Sequence, residues 1–135
     1  MTWNYTRAMM MLWIGDGDTY VFPNLAQTCF VKGQDGDIHL NYRGANVVTF
    51  HPDGTFTLNS GDKTETTLSR LRKFGPLDIF SKNERWILSS QEGEFEFFDG
   101  IRVDYWGKVE AETEDDDDRY ATEMTVDNQI GKMYL

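Results

Sequence analysis

The chain has 135 residues, of which 39% are hydrophobic and 14% aromatic; 23 acidic side chains against 13 basic ones give a formal charge of −10. That length suits one domain with a modest core, in which a few large rings supply much of the burial. A pI near 4.5 argues against direct contact with nucleic acid or an anionic membrane, and favours plain solubility or a basic partner. The lone cysteine, Cys29, excludes an internal disulfide and suits a reducing compartment.

Ala8 to Ile14 is an apolar run of seven behind Arg7. It falls far short of the roughly 20 apolar residues that a membrane span needs. Gly15-Asp16-Gly17-Asp18 follows where a secretory signal requires small residues for cleavage. The run therefore reads as a buried strand or helix end, and the protein as soluble and intracellular.

After it, Asp-Gly turns punctuate β-rich segments. Thr19 to Phe22 ends at Pro23-Asn24, and Thr28 to Lys32 leads through Asp35-Gly36 to Ile38 to Tyr42. Val47-Val48-Thr49-Phe50 and Thr55-Phe56-Thr57-Leu58 flank Pro52-Asp53-Gly54, a strong hairpin signal. Ile38, Leu40 and Tyr42 alternate with His39 and Asn41, and Phe95 and Phe97 with Glu94 and Glu96, so one face of each strand is expected inside and the other wet. Between residues 64 and 76 the pattern changes. Thr64, Thr66 or Thr67 can cap a helix whose face is Leu68, Leu71 and Phe74, and Gly75-Pro76 stops it. Trp86-Ile87-Leu88, Phe95 to Phe98 and Ile101 to Asp104, the last behind Asp99-Gly100, complete the β-rich segments. The fold class is thus mainly β (α+β): an antiparallel meander of hairpins with one short helix at about 66–74 packed on the sheet.

The charge is unevenly placed. Residues 1–62 carry −3, residues 63–86 carry +3, and residues 87–135 carry −10. The peak holds Glu110, Glu112, Glu114, Asp115, Asp116, Asp117 and Asp118, and adjacent like charges make this an exposed, extended segment. As a solvated loop it aids solubility. As a functional surface it imitates a phosphate backbone, because a row of carboxylates can enter a lysine- and arginine-lined groove and release the same counterions. Residues 120–135 recover apolar character and read as a last strand, a docked segment or a frayed terminus.

Other chemistry is poorly supported. Asp16/Asp18 and Asp35/Asp37 lack the glycine and closing glutamate of a calcium loop, and turn chemistry accounts for them. His39, His51 and Cys29 do not fall at zinc spacing, and no metal or cofactor is expected. Cys29 lies in an apolar run as an inert thiol, neither histidine is tied to it or to a serine elbow, and no phosphate loop occurs, so an enzyme is not expected. The remaining candidate is an anion or nucleotide site at the helix start: Thr66, Thr67 and free N–H groups hold a phosphate, and Arg70 or Arg72 closes over it. Against it stands the plainer reading, in which the threonines cap the helix and Arg70, Arg72 and Lys73 face solvent.

Residues 46–104 also carry a resemblance. Val47, Val48, Asp53, Gly54, Leu58, Asn59, Ser60 and Gly61, then Thr64, Thr66, Thr67, Arg70 and Leu71, then Trp86, Phe98, Asp99, Gly100 and Ile101 match a recurring pattern. In these the chain resembles a family of small uncharacterised bacteriophage proteins, with Leu68 where that family carries lysine and Arg72 where it carries asparagine. The resemblance implies a phage origin, hence the cytoplasm of a host bacterium, and no particular activity. With the acidic segment it leads to one expectation: a non-enzymatic inhibitor of a bacterial defence system, anti-CRISPR-like, that blocks a basic nucleic-acid-binding groove of a host protein. A sponge for an immune-signalling nucleotide and a virion structural or assembly protein are the alternatives.

Overall fold

Alternation of apolar and polar residues along the first five strands decides the architecture. The computed structural model describes residues 2–90 and 92–110. The larger sheet has six antiparallel strands in the order β1 (Thr19–Val21), β2 (Thr28–Lys32), β3 (Ile38–Tyr42), β4 (Ala45–Phe50), β5 (Phe56–Leu58) and β9 (Ile101–Val103). The smaller has three, β6 (Asp78–Lys82), β7 (Arg85–Ser90) and β8 (Gly93–Glu96). The protein is mainly β. Five strands of the larger sheet form the expected meander, and β9 joins its edge after the chain has made a helix and the smaller sheet.

Inward phase puts Phe30, Leu40, Val48, Leu58 and Ile101 in one cross-strand row and Ile38, Phe50, Phe56 and Val103 in the next. All of these are buried. Over them lie two helices, α1 (Tyr5–Ile14) and α2 (Glu65–Phe74). Trp3, just before α1, and Phe74, at the end of α2, meet at 5.2 Å between ring centroids and sit 5.3 Å and 5.8 Å from Phe30. Both helices thus share one face of the sheet, and α2 also packs on β6 of the smaller sheet.

The sequence suggests one helix, about 66–74; the described residues form two α-helices. At α2 the cap is Thr64, whose hydroxyl accepts from Thr67 N–H at 3.3 Å, so the helix begins at Glu65. Glu65 in the first turn and Arg72 and Lys73 in the last suit the helix dipole, and Gly75 N–H closes on Leu71 O. At α1, Asn4 caps by accepting from Arg7 N–H at 2.8 Å, and unbranched Met and Leu favour the turn. The run Ala8–Ile14 is not uniformly buried as expected. Ala8 and Leu12, four residues apart, face the sheet, whereas Met10, Trp13 and Ile14 are exposed.

Two hairpins close with two-residue loops in which both residues have positive φ: Arg43-Gly44 (53° and 86°) and Asn83-Glu84 (53° and 66°). This geometry matches strand twist but strains a glutamate, which has a Cβ. Glu84→Gly is expected to stabilise the fold by about 0.5–1 kcal/mol in denaturant titration, whereas Phe30→Ala, at the centre of the ring cluster, should cost about 3–5 kcal/mol.

Candidate functional site

The same alternation that buries one face of the large sheet turns a polar set onto the other. Asp37 just before β3, His39 in it, Thr49 from β4, His51 just after β4, Thr57 from β5 and Arg102 from β9 occupy the outward phase, with His39, Thr49, Thr57 and Arg102 in one cross-strand row. These groups are hydrogen-bonded. His51 Nδ1 lies 2.9 Å from Asp37 Oδ1, and His51 Nε2 lies 2.7 Å from Thr57 Oγ1. A carboxylate only accepts, so Nδ1 carries a proton and donates it to Asp37, and Nε2 faces the threonine hydroxyl. His39 Nδ1 bonds Thr49 Oγ1 at 2.7 Å. Burial pushes the His39 imidazole below its ordinary value, and His51 adds to this, with Asp37 opposing. His39 also packs closely on Gly33, where an added Cβ would run into its Nε2.

Asp37, His51 and Thr57 stand in the order of an acid–base–hydroxyl relay, which neither histidine's sequence context signals. Their phase did carry the information: once Ile38, Val48/Phe50 and Phe56/Leu58 point inward, these three must share the opposite face. The two bonds join β3, β4 and β5 laterally, and β5 is itself paired on both sides, with β4 and β9. Among the described residues no group of three or more histidine, cysteine, aspartate or glutamate side chains is placed to hold a metal ion.

At the β9 edge the network continues. Arg102 donates from Nε to Thr55 Oγ1 at 3.0 Å and from NH2 to Asp53 Oδ2 at 3.0 Å, and its Nε lies 3.4 Å from Glu110 Oε1. The Thr55 hydroxyl and N–H, with Arg102 a smaller influence, hold the Asp53 carboxyl below its usual range. Glu110 is the one member of the acidic segment that is described, exposed and tethered here by Arg102. Glu112, Glu114, Asp115, Asp116, Asp117 and Asp118 lie outside the described residues, as does the segment 120–135.

The helix-start candidates do not converge on a free anion site. Thr66 is exposed, whereas Thr67 is buried and its hydroxyl donates to Asp62 Oδ1. Arg70 corrects the expectation of a solvent-facing cation. It is buried, donates from Nε to Thr28 Oγ1 at 2.9 Å, and lies over the Tyr42 ring at 5.4 Å. Arg72 is exposed, as is Lys73, but the Arg72 Nε donates to Ile79 O at 2.5 Å and lies 3.8 Å from Asp78. Three of the four groups thus already have partners within the fold. The three-residue periodicity from Thr67 to Arg70 was the available signal, since it puts Arg70 on the buried stripe.

No protein family, curated protein or solved structure matches the chain.

The depressed His39 value has a definite sign. The folded state holds the imidazole neutral where the unfolded chain, near 6.5, begins to take up a proton. Stability from this source is present above that pH and is lost as pH falls from about 6.5 toward the folded value. Melting temperature is therefore expected to drop over that interval, and His39→Asn, which keeps an atom near Thr49, should flatten the drop. His51→Ala should cost about 1–2 kcal/mol, and Thr57→Val made on that background should add less than it does alone.

Proposed function

We propose that the chain is a non-enzymatic acidic protein that occupies a basic, nucleic-acid-binding surface of a host protein, in the manner of a phage inhibitor of a CRISPR effector complex. The observation that carries this reading is the partition of charge: residues 1–110 hold eleven basic and fifteen acidic side chains, a balance of −4, and the 25 residues after them hold two and eight, a balance of −6. A charge density of that sign, on a short stretch, suits a groove evolved for phosphates. Its carboxylates exclude the nucleic acid and release the same bound counterions. Glu110, the last described residue, is held at the edge of the larger sheet by Arg102. Such an inhibitor needs no cofactor and no contact of its own with DNA or RNA. No helix of the described residues is long and apolar enough to cross a membrane.

The nucleotide-sponge reading finds no corresponding support, because Thr67, Arg70 and Arg72 are engaged within the fold.

The test mixes purified protein with a purified CRISPR effector complex and follows co-migration and loss of target-DNA binding. Replacing Asp115, Asp116, Asp117 and Asp118 together by asparagine is expected to weaken association most at low salt, where counterion release is worth most. Equal affinity of the two proteins at low salt would reject mimicry.

A further inference from the structure

Beside the start of the acidic segment the surface is not uniformly charged. After β9 the chain folds back on itself: Asp104 N–H donates to Lys108 O at 2.9 Å, Glu110 N–H donates to Arg102 O at 2.9 Å, and Val109 bridges Val103. This turn and the end of the smaller sheet enclose an open groove of about 700 Å³. Phe95, Phe98 and Val109 give it apolar walls, and Glu92, Asp104, Glu110 and Lys108 form its rim. Phe98 is 46% exposed. Lys108 Nζ is 4.0 Å from Glu92 Oε2 and Arg102 Nε is 3.4 Å from Glu110 Oε1, so among the described residues Asp104 is the rim carboxylate with no cation paired to it, and the rim keeps one negative charge in excess.

Resting on the function proposed above, we infer that this groove receives an apolar or aromatic side chain of the partner, flanked there by arginine or lysine. Charge complementarity selects this occupant: the walls exclude water around a ring or branched chain, and the carboxylate rim meets cations on either side of it. The combination answers a physical difficulty. An acidic strand alone attracts any basic surface, and its hold fades as salt rises. Burial of an apolar side chain beside it adds a component that salt does not weaken and that only a surface of the right shape supplies.

The experiment uses the full chain and a short fluorescein-labelled peptide of arginines around a central Leu-Phe pair. Controls carry serine in place of Leu-Phe or glutamate in place of arginine. Anisotropy is read at low and high salt for the unaltered protein, for Phe98→Ser, whose ring is already half in solvent, and for the Asp115 to Asp118 asparagine variant, with circular dichroism checking the fold. Phe98→Ser should weaken the Leu-Phe peptide about fivefold at both salt concentrations, the effect of about 1 kcal/mol of lost burial, and leave the serine peptide unchanged. The asparagine variant should weaken binding at low salt only. If Phe98→Ser changes nothing while the asparagine variant loses low-salt binding, the groove is overturned and the acidic reading stands. If the asparagine variant binds normally and Phe98→Ser does not, the groove stands and that reading falls. Equal binding of the Leu-Phe and serine peptides overturns the groove. So does a concentration-dependent dimer in sedimentation that Phe98→Ser abolishes, since a second copy would then be the occupant.

Discussion

Everything in this molecule depends on burying one face of a six-stranded sheet. A sheet of half-apolar strands cannot stand alone in water, and at a hydrophobic content of 39% the chain has little apolar material to spare. It concentrates that material. Trp3, Phe22, Phe30, Phe50, Phe56 and Phe74 form a chain of edge-to-face and tilted ring contacts with neighbouring centroids between 5.1 and 5.9 Å apart. Rings contributed by the strands, the N-terminal segment and the end of α2 therefore fix both helices on the sheet at once. Few large groups do what many aliphatic ones do elsewhere.

Once that face is covered, the opposite one has to satisfy its own polar groups, and it does so laterally. The Asp37–His51–Thr57 relay ties the start of β3 to β4 and β5, and Arg102 ties β9 to the Asp53 turn and to Glu110. Arg70 serves a comparable purpose from the helix side, bringing a cation into the interior where Thr28 and the Tyr42 ring receive it. Side chains that suggest catalysis or anion binding by type are thus hydrogen-bonded to partners within the fold. Residue identity names what a group can do; its partners decide what it does.

Much of the scaffold was legible in the sequence because period-two alternation is dense in β2 and β3 and turns mark the strand ends. The parts that escaped have physical reasons. β6 buries only Ile79 fully and is bounded by Pro76 and by an Asn83-Glu84 turn rather than an Asp-Gly pair. Most of α1 is the unbroken apolar run Ala8–Ile14, so a stripe of burial at Ala8 and Leu12 could not be told from a wholly buried strand. The candidate surface was less legible than the fold. Seeing Asp37, His51 and Thr57 together requires the register of two hairpins, and seeing Phe98 beside Glu110 requires knowing that β9 leaves the smaller sheet and pairs with β5.

That last crossing shapes one end of the scaffold. Because β9 closes the far edge of the meander, the turn after it is carried back beside the smaller sheet, and Val109 comes to wall the same groove as Phe95 and Phe98. The Arg102–Glu110 contact lies at the groove's rim. Long-range attraction from the following carboxylates acts over roughly a Debye length, about 8 Å at physiological salt, and carries no shape information. Dispersion and water exclusion act only on contact, and they carry nearly all of it. On the function proposed above, charge draws in a basic surface and the groove tests its shape.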